Sequence, residues 1–265
     1  DGIICACSNF QRVYPAIAIE IQDAIGMTGG FAYDMNVACS AATFGIAQAV
    51  GSIKACLAKK IAVVNVEITS AHLNWRNRDS HFIFGDAAAA TIIEYKPSEQ
   101  AVGYEVLDCK LFTQFSINIK NEYGFLDRSE YLAKNVAMYG DINEPISDKL
   151  FLQEGRKVFR EVCPAVAKLI SEHLKTNDID PKTIKRLWLH QANSNMIDLI
   201  LRTVVGKDAD KAIAPVVISD YGNTSSASPI IAFNETQDDI TSGDLGVICS
   251  FGAGYSIGSV IVKKV

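Results

Sequence analysis

Short apolar runs rich in β-branched residues alternate along this chain with longer segments of helical period, and few folds accept that alternation. The spacing predicts strands over residues 3–7, 31–37, 61–68, 87–95, 103–108, 186–189, 245–250 and 255–263. Helices are predicted over 15–25, where Ile17, Ile21 and Ile25 recur on one face, and over 40–58, 149–174, 193–205 and 226–238. Pro15 and Pro229 suit the first turns of their helices. Strands apolar at nearly every position are covered on both faces, so the chain reads as α/β layers around buried sheets. Its 265 residues, 49% of them hydrophobic, suffice for one large domain or two fused ones.

Two pairs of segments echo each other. FGDAAAATIIE (84–94) and FGAGYSIGSVIVK (251–263) both set Phe-Gly ahead of small residues and a β-branched run, while VACSAATFG (37–45) and YGNTSSASP (221–229) both set a small-residue turn ahead of a helix. The echo suggests two similar halves, 1–147 and 148–265. Turns draw on few residue types, so a chance likeness is the other reading. Residues 109–147 interrupt the alternation with a polar stretch rich in Asn, Asp and Tyr, read as the connection between the halves. Its length predicts some structure or a binding role of its own.

The net charge of -5 supplies no basic field, so nucleic-acid binding is not expected. Cys5, Cys7, Cys39, Cys56, Cys109, Cys163 and Cys249 form an odd set without a CxxC pair, the usage of a reduced, cytosolic chain. Four histidines without clustered Cys/His spacing argue against a metal site. No apolar run is long enough to span a bilayer, and the first residues lack the charged start and cleavage site of a signal peptide, so no membrane association is expected. The apolar run at residue 3 comes without a lead-in, as though another segment preceded it.

Candidate chemistry collects at three turns. Cys39 stands between the run MNVA and a helix starting near Ser40, where the helix dipole and free N–H groups favour a thiolate and a lowered pKa. Cysteines in apolar surroundings are more often inert, and six others compete for the role. His190 ends the run RLWL just before a helix, the strand end at which α/β sheets collect ligands, although many such histidines only bond a backbone carbonyl. Asn193 is placed to cap that helix. Asn223, in SDYGNTSSASPI, is ordinary turn chemistry on its own. Together, a cysteine at a strand-to-helix turn with a downstream His and Asn fits the nucleophile, base and orienting donor of thiol catalysis. The closing turn SFGAGYSIGS (250–259) lets backbone approach a thioester, and its N–H groups suit an oxyanion hole. It lacks the GxGxxG spacing and the following helix of a nucleotide loop.

DMNVACSAATFG, FIFGDAAAATII, LHQANSNMI, YGNTSSASPIIA and SFGAGYSIGSVIVKK resemble, in order, motifs of the β-ketoacyl-acyl-carrier-protein synthase III family within the thiolase fold. The resemblance runs over nearly the whole chain apart from residues 109–147. It implies an α/β, layered αβαβα fold of two similar halves and a triad of Cys39, His190 and Asn223. Cys39 would first take an acyl group from acyl-CoA. Malonyl-carrier protein would then lose carbon dioxide while His190 and Asn223 donate to its thioester carbonyl, and the enolate carbon would attack the acyl-enzyme. The resemblance also implies an oxyanion site at the N–H groups of Cys39 and Ala253, and substrate or CoA contacts at Arg78, Asn193, Phe251, Gly252 and Gly254. Tyr14 would reach the partner's acyl pocket in a homodimer, and no cofactor is implied. The stretch LNWRNRDSHFIFGD and the long connection resemble a longer bacterial branch that accepts medium-chain starters. Cys249 lies near the carboxyl end, where thiolases proper carry a second active cysteine, but its apolar run reads as core.

Two features depart from that family. Ser194 and Asn195 stand where it often carries a basic residue that docks the carrier protein, which shifts docking to Arg202, Lys207 or Lys211. The family also has a β-α-β segment ahead of the strand at residue 3, without which that strand is expected to be an unpaired edge. Two other functions stay open: a papain-like thiol hydrolase, which orders Cys, His and Asn the same way but lacks its CGSCW-type signature around Cys39, and a non-catalytic binding protein of the same fold.

Overall fold

A computed structural model describes residues 1–73, 80–121 and 151–265. Strands β1 (Gly2–Ala6), β2 (Phe31–Met35), β3 (Lys60–Glu67) and β4 (Ala87–Glu94) form one sheet in the order β2-β1-β3-β4. β1 runs parallel to β2 and β3, and β4 closes the sheet antiparallel. A second sheet, in the order β5-β10-β9-β8, holds β5 (Tyr104–Ser116), β8 (Ile184–Leu189), β9 (Leu245–Gly252) and β10 (Gly254–Lys264). Between them in sequence, β6 (Ile119–Asn121) and β7 (Phe151–Gln153) pair as a short antiparallel ribbon.

Alternation along β1 shows why the chain stacks in layers. Ile3 and Cys5 point outward to Ile17 and Ala18 of helix α1 (Ile17–Ala24), and Ile4 and Ala6 point inward to Ala41 and Ala49 of helix α2 (Ala41–Lys54). The opposite side of α2 sets Ala42 and Ile46 against Trp188, Ile248 and Val260 of the second sheet. After helices α3 (Gly155–Thr176), α4 (Ser194–Val204) and the short α5 (Ile218–Tyr221), helix α6 (Ser228–Glu235) brings Ile230 into that same middle layer. α3 and α4 cover the far face, with Val166, Ile170 and Ile197 packed on Leu187, Leu189 and Val247. The order of layers is therefore α1, sheet, α2 with α6, sheet, α3 with α4, the αβαβα arrangement expected. Among the described residues no helix is long and apolar enough to cross a membrane.

The paired segments have the same local geometry. Ala38 (φ +47) and Ser225 (φ +49) each take a left-handed conformation at the start of a 3₁₀ turn, residues 38–40 and 225–227, and each turn leads into a helix of the middle layer. Likewise Phe84-Gly85 precedes β4, and Phe251-Gly252 lies at the end of β9 just before β10.

Several expectations are corrected. β1 is not an edge: it bonds β2 on one side and β3 on the other, as suits a strand buried at every position. Pro15 lies outside α1, whose first free N–H groups, of Ile17 and Ala18, instead donate to the Asp34 carboxylate at 2.8 and 2.9 Å. α2 stops at Lys54 rather than residue 58, since Cys56 turns left-handed (φ +59). Residues 109–116 are strand rather than connection, because β5 pairs with β10 along its whole length, and this strand from the first expected half joins the second sheet. The remainder of the expected connection beyond Asn121 lies outside the described residues. α3 begins at Gly155, after β7 has used Phe151–Gln153 as strand.

Candidate active site

Cys39 occupies the middle of the 3₁₀ turn ahead of α2 and is half-buried against the end of β9. A left-handed alanine at position 38 costs roughly 1–3 kcal/mol, strain of the kind that collects at functional turns. Hydroxyls fix the turn in place. Ser40 Oγ donates to the Ser256 carbonyl (2.8 Å), and Ser250 Oγ donates to the Ser40 carbonyl (3.1 Å). Gly252 faces Cys39 so closely that a Cβ there would stand 2.6 Å from Cys39 Cβ, so only glycine fits. The backbone N–H groups of Cys39 and Ala253 are directed at the sulfur, and Ser225 Oγ donates to it at 3.4 Å.

The thiol is nonetheless pushed up to about 11, mainly by burial, with the nearby Glu67 carboxylate adding to the rise. This corrects the expectation of a lowered pKa. The N–H groups and the Ser225 hydroxyl do pull the thiol down, but loss of water around a charged sulfur outweighs them. The resting group is a thiol.

Ser225 is the point on which the three predicted residues converge. Its Oγ bonds Cys39, its N–H donates to Asn223 Oδ1 at 3.0 Å, and its carbonyl meets His190 and accepts from Ser228 Oγ at 2.9 Å. His190 Nδ1 lies 2.6 Å from Ser228 Oγ, which also accepts from the Gln191 N–H at 3.0 Å. Burial pushes the imidazole down to about 4, so the ring is neutral near pH 7. Asn223, with Oδ1 held, is left with Nδ2 as its donor. Its backbone is clamped to the FGD motif of the first half, since Asn223 N–H donates to the Ile83 carbonyl (2.8 Å) and Gly85 N–H donates to the Asn223 carbonyl (3.1 Å).

Sequence reasoning missed Ser225, Ser228 and Glu67. The only signals were a run of hydroxyls after Asn223 and an acid ending the apolar strand VVNVE. Glu67 is 1% exposed and accepts from Ser8 Oγ (2.8 Å), Ser226 Oγ (2.5 Å), the Ser226 N–H (3.2 Å) and Asn9 Nδ2. Burial holds its carboxyl above the ordinary range.

The remaining predicted residues are spread out. Phe251 was expected to touch substrate, but its side chain is buried edge-on to the His190 ring (centroids 5.2 Å apart), so it backs the histidine instead. Gly254 is exposed at φ +128. Asn193 caps α4, with Oδ1 accepting from the Asn195 N–H at 2.8 Å. Tyr14 is 83% exposed. Arg78 lies outside the described residues. Of the proposed docking cations, Arg202 and Lys211 both reach Asp198, at 3.1 and 3.9 Å. Cys249 is fully buried with its thiol raised by burial, as a core residue should be.

A cavity of about 180 Å³ opens beside Cys39, with Leu73, Phe84, Ile119 and Phe151 as its apolar wall. A larger groove of about 1050 Å³ between β4 and β5 touches none of Cys39, His190 and Asn223, and so is not the reaction site. Among the described residues no three metal-ligating side chains converge.

Comparison with known proteins places this geometry. Residues 33–114 match the family model of 3-oxoacyl-[acyl-carrier-protein (ACP)] synthase III, and residues 174–264 match the model of its C-terminal part. The whole chain is 53% identical to a beta-ketodecanoyl-[acyl-carrier-protein] synthase of Pseudomonas aeruginosa PAO1, covering 73% of that protein. It is 31% identical to a beta-ketoacyl-[acyl-carrier-protein] synthase III of Acidiphilium cryptum, over 99% of this chain and 77% of that one. The crystal structure of 3-oxoacyl-[acyl-carrier-protein] synthase III from Aquifex aeolicus superposes on 99% of the chain, and on 77% of its own, with a TM-score of 0.83 at 24% identity, a likeness of fold. The chain thus spans about three quarters of the length of these relatives. With both family models matched and half of its residues shared with a relative over its full length, the chain belongs to the 3-oxoacyl-[acyl-carrier-protein] synthase III family of condensing acyltransferases.

Proposed function

We propose that the protein condenses an acyl-CoA starter with malonyl-ACP to give a 3-oxoacyl-ACP, through a thioester on Cys39. The observation that carries this reading is the convergence of Cys39, His190 and Asn223 on Ser225 in a chain of this family. In the first half-reaction the Cys39 sulfur attacks the acyl-CoA carbonyl and CoA leaves. The N–H groups of Cys39 and Ala253 already face the sulfur, where they can hold the carbonyl oxygen as it gains charge.

In the second half-reaction malonyl-ACP loses carbon dioxide and its thioester oxygen takes up negative charge, which Asn223 Nδ2 and His190 Nε2 stabilise as donors. The neutral state of His190 requires its single ring proton to be on Nε2 at that moment. Ser228 supports this. Its hydroxyl, given to the Ser225 carbonyl at rest, has His190 Nδ1 as a second acceptor within reach, and turning to Nδ1 leaves the ring proton on Nε2. The enolate carbon then attacks the acyl carbonyl and frees Cys39. The family assignment and layered fold set aside the papain-like hydrolase.

The starter is read as a medium-chain acyl-CoA. The named product of the Pseudomonas relative has ten carbons, two of them from malonyl, which corresponds to an eight-carbon starter, and the wall beside Cys39 suits an alkyl chain. Arg78 and Asn193 are assigned to CoA, and Gly252 and Gly254 to close backbone approach. The exposed Tyr14 is assigned to a homodimer contact, and Arg202, Lys207 and Lys211 to carrier docking, in the cytoplasm. The test is intact-mass spectrometry after mixing with acetyl-, butyryl- or octanoyl-CoA. An acyl adduct, strongest with octanoyl-CoA and lost in Cys39→Ala, is expected; absence of an adduct with all three overturns the reading.

A further inference from the structure

We propose that Glu67 is the proton acceptor for Cys39, reached through the hydroxyls of Ser225 and Ser8. The proposal rests on the acyl-Cys39 reading above. Cys39 Sγ lies 3.4 Å from Ser225 Oγ, Ser225 Oγ lies 3.3 Å from Ser8 Oγ, and Ser8 Oγ lies 2.8 Å from Glu67 Oε2. These contacts form an unbroken line from the nucleophile to a carboxylate shut away from water. A hydroxyl both donates and accepts, so a proton entering one end of such a line releases a different proton at the other. His190 does not compete for this role. Its Nδ1 is engaged by Ser228, and no hydrogen bond joins it to Cys39 among the described residues.

The charges point the same way. A buried cluster tolerates one negative charge far better than two. The Glu67 carboxylate raises the Cys39 thiol, and burial raises Glu67 itself, so neither group is easily left charged beside the other. Donors from Ser226 and Asn9 hold the carboxylate in place.

As the sulfur attacks, the Ser225 hydroxyl, which at rest points to Cys39, turns to Ser8 Oγ, so that the Cys39 proton passes to Ser225 Oγ, the Ser225 proton to Ser8 Oγ, and the Ser8 proton to Glu67 Oε2. The new S–C bond forms and the C–S bond to CoA breaks. The departing CoA thiolate takes its proton from Ser225, and the line refills from Glu67, which returns to carboxylate. One thiol is consumed and one is released, and the charge of the cluster is unchanged.

The test compares Ser8→Ala, which cuts the line but keeps Cys39 and Glu67, with Ser8→Thr, which keeps the hydroxyl. Single-turnover acylation of Cys39 by octanoyl-CoA is followed by quenched-flow mass spectrometry from about pH 6 to about pH 10. Ser8→Ala is expected to slow acylation roughly 10²-fold near neutral pH and to recover at high pH, where hydroxide takes the proton. Ser8→Thr should follow wild type. Ser225→Ala cuts the line at another link and should give the same profile, which keeps the test valid if either alanine variant fails to fold. Wild-type rates in both alanine variants at every pH would overturn the relay and leave the acyl-Cys39 reading standing. A loss that is equal at every pH and not restored by threonine would also overturn it. No adduct on wild-type Cys39 would instead overturn the underlying reading.

Discussion

Replacing Gly252 by alanine should disable Cys39 without touching it. The added Cβ would lie 2.6 Å from Cys39 Cβ and 3.1 Å from its sulfur, against 3.4 Å or more for ordinary contact. One side must therefore give by about 0.8 Å. The cysteine turn has little room, since Ser40 and Ser250 tie it to the second sheet. Overpacking of this size costs roughly 1–3 kcal/mol, and a displacement near 1 Å at a reacting atom costs about 10²-fold in rate. Urea unfolding gives the first quantity, and single-turnover acylation by octanoyl-CoA gives the second. The matched control is Gly51→Ala. Gly51 sits exposed in α2 with nothing within 4 Å of an added Cβ, so stability should rise by about 0.5–1 kcal/mol with acylation unchanged. A Gly252→Ala protein that acylates at the wild-type rate and unfolds at the wild-type midpoint would refute the placement of Cys39 against β9.

Other outcomes follow from the same site. His190→Ala should lower condensation with malonyl-ACP by at least roughly 10²-fold while sparing acylation, and equal loss of both half-reactions would contradict its donor role. Ser228→Ala leaves His190 Nδ1 and the Gln191 N–H without their shared partner, so condensation should fall roughly tenfold or more while Cys39 still acylates. Stability should depend on pH through His190, whose folded pKa of about 4 lies below the ordinary 6.5. Below pH 6.5 the unfolded chain binds the proton first, so stability is lost as pH falls from 6.5 through 4, by up to about 3 kcal/mol. Denaturant midpoints for wild type and His190→Gln should converge across that window, and parallel curves would count against a buried neutral ring.

The layers were legible because they rest on periodicity. Ile3 and Cys5 against Ile4 and Ala6, or Ile17 against Ile21, announce which face of a strand or helix meets apolar neighbours, and burial follows. The three turns were legible because small residues, glycines and strand ends mark where backbone leaves a sheet. Strand β5 was misjudged past residue 108 for the same reason. Polar residues on a strand at the edge of a sheet look like loop until a partner is known, and its partner, β10, lies over a hundred residues away. Phe251 was misassigned because a motif gives a position in the chain and not the direction of a ring.

What pattern could not reveal was the charge state of the site, since it depends on groups far apart in sequence. A helix start predicts a stabilised thiolate when the only neighbours considered are the next few N–H groups. Around Cys39 those groups are present, but the environment is set equally by Glu67 from β3, Ser225 from the other half and Gly252 from β9. Together they shield the sulfur from water and hold a carboxylate nearby, and the thiol keeps its proton. A thioester needs no resting thiolate, because its attack and the loss of the proton occur together once substrate is bound. A neutral thiol also has a use at a half-buried site: it is not drawn into oxidation or stray alkylation as a free thiolate would be. The raised pKa of Cys39 therefore fits a nucleophile switched on by its own substrate, and slow alkylation of the free protein beside fast acylation by acyl-CoA is the behaviour it requires.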